Sequence, residues 1–459
     1  MRPLFTFILL SLCAVVGLPP CAAQLQWHQE KGFKWADLHV PSAGQPGFTL
    51  LPPEQTGITF TNPLNARAAA ANRLLLNGGG VALGDFDHDG LPDIFLCSLD
   101  GHNALYKNLG GMKFQDVTET AGVRCTNRIC RGAVFADING DVWLDLLIST
   151  SGSGVLCYSN NGNGTFTECS PYAGTLSQYG ATSMTLADID GNGTLDLYVA
   201  NYRAEDSRDR AEFDHFDLFR TNGQLSVVPE LQGRFLYANG MVNEYGEPSL
   251  IYLNDGKGHF TPLSWTNGTF LDENGRPLAG PPLDWSLTAA FRDLNGDGAP
   301  DLYVCNDYWT PDRLWINDGK GHFQACSRLA LRHTSKFSMG VDFADIDRDG
   351  QMDFFVTDML SRDWRVRKRQ LMVSGSPRSA VGAISDRPQV PENVLFRNRG
   401  DGTFEEIAAY AGISAADWSW QPVFVDVDLD GWEDLTAPIH ERFLREGRLQ
   451  RTNRMAAAR

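Results

Sequence analysis

The sequence predicts an all-β fold, a β-propeller of four-stranded blades. A nine-residue acidic stretch recurs six times along the 459 residues, and short apolar runs flank every copy. In five copies a glycine turn between an Asn and a Phe follows, always six residues from Asn to Phe. Four short strands repeating at a period of about fifty residues are the mark of a propeller blade.

The first acidic stretch places Asp85, Asp87, Asp89 and Asp93 at its positions 1, 3, 5 and 9, with Gly90 at position 6. The next two place Asp137, Asn139, Asp141 and Asp145, then Asp188, Asp190, Asn192 and Asp196, at the same positions. The last three carry Asp293, Asn295, Asp297 and Asp301; Asp345, Asp347, Asp349 and Asp353; and Asp426, Asp428, Asp430 and Asp434. Several oxygen donors around a glycine turn suit a hard cation such as calcium. Without an ion, adjacent carboxylates ~4 Å apart would repel by about 4 kcal/mol at an effective dielectric near 20. Six repetitions in one context make a merely solvated acidic turn a poor explanation. We therefore expect up to six Ca2+ ions, with all the residues just named as ligands.

The last acid stands at position 9, whereas an EF-hand has its Glu at position 12 and a helix on either side. Here the acid opens runs such as DIFLCSL from Asp93 and DLYVANY from Asp196, rich in β-branched and aromatic residues. Runs such as GAVFA and SMTLA precede the loops and are rich in small residues. Both kinds read as strands, so each loop joins a first strand to a second. The turns Asn108–Phe114, Asn160–Phe166, Asn254–Phe260, Asn317–Phe323 and Asn398–Phe404 then join a third strand to a fourth.

Added length is confined to particular connections. About 43 and 30 extra residues lie between the second and third strands of the third and fifth repeats, and about 11 lie after the fourth strand of the third. In an up-down-up-down blade these connections lie on the face opposite the acidic loops. That face carries Tyr202, Phe213, His215, Phe216, Phe219, Tyr237, Tyr245, Asp307-Tyr308-Trp309 and Trp364. It is the expected recognition surface, although any single aromatic there is more often a packing residue. The interval from Asp188 to Asp293 is 105 residues, twice the usual one, and admits a degenerate blade or insertions alone. The segment from Gly47 has the pattern of a fourth strand that could close the ring around Asp426. Seven blades are favoured, six of them metal-bearing.

The paired acidic loop and Asn-x-Gly-x-Gly-x-Phe turn resemble the FG-GAP/VCBS repeats of integrin alpha-subunit propellers and of many secreted bacterial proteins. More closely, residues 47 to 435 resemble bacterial relatives of the cartilage acidic protein family, in which such repeats precede an ASPIC/UnbV module. The resemblance implies a calcium-binding propeller in an extracytoplasmic adhesion or recognition role, and no known reaction. No ASPIC/UnbV module is recognisable after the last repeat.

The expected organisation is a signal peptide at 1–23, an N-terminal segment at 24–46, the propeller at 47–440 and a basic tail at 441–459. Insertions fall at about 201–249, 272–283 and 360–392. Arg2, the apolar run Leu4 to Leu18 and the small residues Cys21-Ala22-Ala23 carry the export signal, and no later segment could span a bilayer. The protein is expected to be secreted or periplasmic, where calcium is plentiful and disulfides persist. The formal charge of −17 falls to about −5 once six divalent ions are bound, so neither a basic partner nor nucleic acid is implied.

Seven cysteines follow the signal region; Cys157 and Cys169 could face each other across a hairpin, Cys125 and Cys130 flank a short loop, and Cys97 and Cys305 read as buried thiols. The tail segment Leu449 to Asn453 has the outline of one more third strand. The expected function is calcium-stabilised recognition of an extracellular protein or carbohydrate. The alternative is a polysaccharide lyase or glycosidase on the same scaffold, which would need acids converging in a deep axial pocket; no nucleophile, zinc or phosphate motif supports it. Among the loops, the one at Asp137 should bind most weakly, because Val142 replaces the turn glycine, while those at Asp85, Asp345 and Asp426 carry four carboxylates and should bind more tightly.

Overall fold

The computed structural model describes residues 28–31, 33–35, 48–99, 102–213, 215–221, 223–238, 240–374 and 387–437. The expected signal peptide and basic tail, with Leu449 to Asn453, lie outside them. The chain separates into two units, Met1–Phe48 and Thr49–Arg459. The described part of the first is a hairpin pairing His28–Glu30 with Phe33–Trp35.

The second unit is built from mostly antiparallel sheets in chain order. The first has strands Val81–Gly84, Asp93–Leu96, Ala104–Asn108 and Phe114–Asp116, paired as sequence neighbours. The second has Cys130–Ala136, Asp145–Thr150, Gly154–Asn160 and Phe166–Glu168. The third has Ala181–Ala187, Asp196–Asn201, Leu250–Asn254 and Phe260–Pro262. The fourth has Ser286–Arg292, Asp301–Asn306, Arg313–Asn317 and Phe323–Ala325, and the fifth has Gly340–Ala344, Asp353–Thr357, Val394–Asn398 and Phe404–Glu406. The sixth consists of Val423–Val425 and Asp434–Thr436. In all six the acidic loop joins the first two strands.

The second strands are apolar without alternation because both faces are covered. Every residue of Asp145–Thr150, Asp196–Asn201 and Asp301–Asn306 is buried. The small residues of the first strands have a different cause. A Cβ at Gly84 would lie 2.9 Å from the Phe135 ring, and one at Gly132 would lie 3.1 Å from the Thr182 carbonyl oxygen. First strands of consecutive sheets are thus drawn together, and hydrogen bonds join them: Gly80 N to Arg131 O at 2.6 Å, Thr182 Oγ1 to Ser286 O at 2.9 Å, and Thr288 Oγ1 to Met339 O at 2.8 Å. The arrangement is consistent with a propeller.

Among the described residues the repeat sheets number six. The 105-residue interval holds no further four-stranded sheet. It contains the hairpins Leu218–Thr221 with Gln224–Val227 and Phe235–Ala238 with Met241–Glu244, and a short strand, Phe270–Leu271, that pairs in parallel with the fourth sheet. The later insertion contributes the helix Trp364–Ser374. Both long insertions leave the sheets at the ends opposite the acidic loops, as antiparallel order requires.

The expected strand at Gly47 is not seen: Phe48–Pro52 has no regular structure, and Gly47 lies outside the described residues. The helical turn after Pro52, by contrast, matches an element of the later repeats. The turns Thr118–Ala121 and Ser170–Ala173 end in left-handed Gly122 and Gly174, which abut Phe166 O and Phe260 O of the next sheet. Pro53–Thr56 ends in left-handed Gly57, where a Cβ would lie 2.4 Å from Phe114 O. Toward the first sheet, this segment holds the place that Thr118–Gly122 holds toward the second.

Candidate metal centres

Each acidic loop folds around its own side chains. The carboxylate at position 1 accepts the backbone N–H of position 6, at 2.9 Å from Gly90, Val142, Gly193 and Gly350 and 2.8 Å from Gly298 and Gly431. The side chain at position 5 accepts the N–H of position 7, as from Asp141 to Trp143 N at 2.9 Å. The loop turns left-handed twice. Position 6 has φ near +86° in its glycines and +72° in Val142; position 4 is left-handed too, in His88, Arg348 and Leu429 as well as in three glycines. The strain expected at Val142 is therefore present, at about 1–2 kcal/mol for a non-glycine residue.

Position 9 is the buried anchor. In Asp93, Asp145, Asp196, Asp301 and Asp353, one oxygen accepts the N–H of position 2 and the other accepts the backbone N–H of the third-strand Asn. That Asn then ties two sheets together. Asn160, Asn254, Asn317 and Asn398 each donate Nδ2 to the position 8 carbonyl of their own loop. Each also donates to the position 2 carbonyl of the preceding loop, namely Phe86, Ile138, Ile189 and Leu294. The five position 9 carboxyls are buried in a place that disfavours charge. Burial raises Asp93, Asp145, Asp196 and Asp353 to about 6 and Asp301 to about 7, against the lowering effect of the accepted N–H bonds.

These raised values carry a testable sign. A group whose folded pKa exceeds its unfolded value stabilises the fold at acid pH, and that contribution is lost as pH rises through the folded value. Metal-free protein should therefore melt lower near pH 8 than near pH 5, through the window from about 4 to 7. His333, whose burial lowers its pKa, acts in the opposite direction, but Asp307, Asp312, Asp358 and Glu392, all raised by burial, act in the same direction as these five. Calorimetric melting of chelator-treated protein across this range is the check. A rising midpoint would contradict it.

The carboxylates at positions 1, 3 and 9 converge in four loops. One oxygen from each of Asp85, Asp87 and Asp93 lies within 4.8 Å of the others, and the same holds for Asp188, Asp190 and Asp196, for Asp345, Asp347 and Asp353, and for Asp426, Asp428 and Asp434. In the other two loops position 3 is amide, Asn139 or Asn295, so those sets hold fewer charges. The donors are all oxygen, and Asp87 Oδ1 is buried with no hydrogen-bond partner. Such clusters could hold divalent cations.

The aromatics of the opposite face are mostly committed. Tyr202 is buried, packs on Trp285 and donates its hydroxyl to Asp307 at 2.7 Å. Phe213, Phe216 and Phe235 stack on one another, Arg234 lies over two of these rings, and Tyr245 packs on Trp309. Trp364 and His215 remain exposed, and Phe219 is half-buried. Asp307, Asp312 and Asp358 are buried beside them, a cluster missed in the sequence. Burial raises Asp307 and Asp358 to about 6 and Asp312 to about 7, but each is held by hydrogen bonds from neighbouring Tyr, Ser or backbone groups. A cavity of about 430 Å³ lies elsewhere, lined by Thr59, Tyr106 and Arg124 of the first sheet's surroundings. No helix among the described residues is long and apolar enough to cross a membrane. All seven described cysteines are free thiols, with Cys97 and Cys305 buried as expected, and Cys169 N donating to Cys157 O across their hairpin at 2.8 Å.

Comparison with known proteins agrees with this architecture. The FG-GAP-like repeat model matches residues 85–148, 137–199, 293–356 and 381–437. Cartilage acidic protein 1 of Xenopus tropicalis is 24% identical over 408 residues, covering 74% of this chain and 60% of that protein. Its human counterpart is 25% identical over 396 residues, covering 78% of this chain and 55% of the relative. The chain thus spans little more than half the length of these relatives. Among solved structures, an Agrocybe aegerita lectin that recognises non-reducing terminal N-acetylglucosamine aligns over 70% of this chain and 77% of its own at 18% identity. Its TM-score of 0.30 is too low to bear on function. With the repeat model matching just over half of its residues, the chain belongs to the FG-GAP-like repeat family.

Proposed function

We propose that this protein is a secreted recognition module, a β-propeller held together by calcium in its six acidic loops and binding a protein or carbohydrate ligand through the opposite, insertion-bearing face. The observation that carries the metal half is the recurring oxygen cage. The same positions 1, 3, 5 and 9 are used six times, and in four loops the position 9 acid is wired to an Asn that links neighbouring sheets. An ion there would neutralise the crowded carboxylates and brace the joint between sheets. Extracellular calcium modules bind at about 10⁻⁴–10⁻³ M, a range that suits the three loops mixing carboxylate and amide oxygens.

The 105-residue interval, where the sequence allowed an extra blade, holds two hairpins; a seventh blade is proposed here on a different ground, the outer faces of the end sheets. Val81 and Leu83 on the first sheet are 57% and 65% exposed, and Val423 and Val425 on the sixth are 43% and 41% exposed. Their neighbours Gly84 and Phe424 face inward, toward Phe135 of the second sheet and the fifth-sheet core. A further blade in this seam would cover all four side chains.

The recognition half rests on where the chain spends its extra residues. Two long insertions and the exposed Trp364 lie at one end of the sheets, on a scaffold that the loops stabilise from the other end. Deleting 365–385, part of which lies outside the described residues, removes no loop ligand. The deletion should leave calcium-dependent melting intact while weakening capture on a glycan and protein array. Replacing Asp345 and Asp347 by Ala should instead lower stability, with binding lost only as folding fails. A deletion variant that binds normally, beside a folded D345A/D347A variant that does not, would transfer recognition to the loop face.

A further inference from the structure

Lys107 precedes the third-strand Asn of the first repeat and reaches into the first acidic loop. Its Nζ bonds Asp87 directly and lies 3.0 Å from Asp89 Oδ2. The corresponding residues of the second, third and fourth repeats are Ser159, Leu253 and Ile316, all without charge. In the fifth repeat it is Arg397, whose guanidinium is 3.7 Å from Asp347 and 2.8 Å from Glu405.

This pattern follows the carboxylate count. The second, third and fourth loops have three ligand carboxylates each and an uncharged residue at this strand position. The first and fifth have four, and a basic residue. Ligand carboxylates and that residue together sum to −3 in all five, Arg348 at position 4 of the fifth loop lying instead over Trp432. A fourth carboxylate is therefore offset from within the fold.

We propose that Lys107 is a built-in counter-ion of the first loop, competing with the divalent cation for Asp87 and Asp89 and making this loop a weaker, more readily exchanged site than the three-carboxylate third loop. The inference rests on the calcium function proposed for the acidic loops. An entering ion must displace the ammonium from two of its own ligands, so carboxylate number alone misorders the sites. Arg397 shares its charge between Asp347 and Glu405 and competes less in the fifth loop.

The test compares two sites within one molecule. Calcium anomalous scattering from crystals at limiting calcium should show the first loop less occupied than the third in the unaltered protein. K107M should tighten the first loop by about tenfold and reverse that order, since a positive charge is removed from contact distance. K107R should keep it. In solution, K107M should melt lower than the parent in chelator and gain more on adding calcium. L253K is the reciprocal change and should empty the third loop at the same calcium level, which keeps the test open if K107M does not fold. A first loop that already fills before the third, or an occupancy ratio unmoved by K107M, overturns this inference while leaving calcium binding intact. Absence of an ion from every loop at saturating calcium overturns both.

Discussion

Removing calcium is expected to lower the melting temperature by more than any single substitution in the loops or strands. A site present only in the folded state and saturated at a hundredfold excess over its dissociation constant adds about 2.7 kcal/mol. Two such sites, even without the others, would add about 5 kcal/mol. With an unfolding entropy of about 2.1 cal/mol/K per residue, a unit of this length shifts by roughly 1 °C per kcal/mol, a fall of about 5 °C or more. The effect should be cooperative, because four of the position 9 acids are bonded to Asn residues that join one sheet to the next. Melting in excess calcium and then in EDTA measures it; identical midpoints would contradict a structural role for the ion.

Asn254→Ala should be a strongly damaging change at these joints. Asn254 Nδ2 donates to Leu195 O at 3.1 Å and to Ile138 O, in the preceding loop, at 2.8 Å. Its Oδ1 accepts Gly256 N at 3.1 Å, and the residue is buried. Alanine leaves two carbonyls and one N–H without partners, each costing about 1–3 kcal/mol when buried. We expect a loss of about 3 kcal/mol or more. Asn108→Ala is the control, since its Nδ2 makes one exposed bond, to Pro92 O at 2.8 Å, and reaches no preceding loop. It should cost about 1 kcal/mol. Denaturant unfolding of the two variants in the same buffer would decide, and equal losses would show that the inter-sheet bond contributes nothing.

The loops and strand order were legible in the sequence because their signals are local. Acids two residues apart, a glycine at position 6 and a six-residue Asn-to-Phe turn are all set by short-range geometry. The left-handed position 4 was hidden wherever it is His88, Arg348 or Leu429, since only the glycines of the other loops show it. The joint made by Asn254 was also hidden, because its partner Ile138 lies 116 residues away and leaves no local trace. Lys107 looked like any strand residue until the fold brought it to Asp87. The aromatic run after Tyr202 promised a binding surface, but much of it packs internally, because the two hairpins of that one insertion need a small core of their own. Seven blades were favoured on a signal of the same weak kind: a 105-residue interval is equally long whether it holds a blade or two hairpins.

The most direct test of the account is an anomalous difference map, recorded from crystals grown at saturating calcium. The expected result is a peak enclosed by the oxygens of positions 1, 3, 5 and 9 in each of the six loops, from Asp85 through Asp434. Loops without peaks, with their carboxylates instead protonated or paired to side chains such as Lys107, would contradict it.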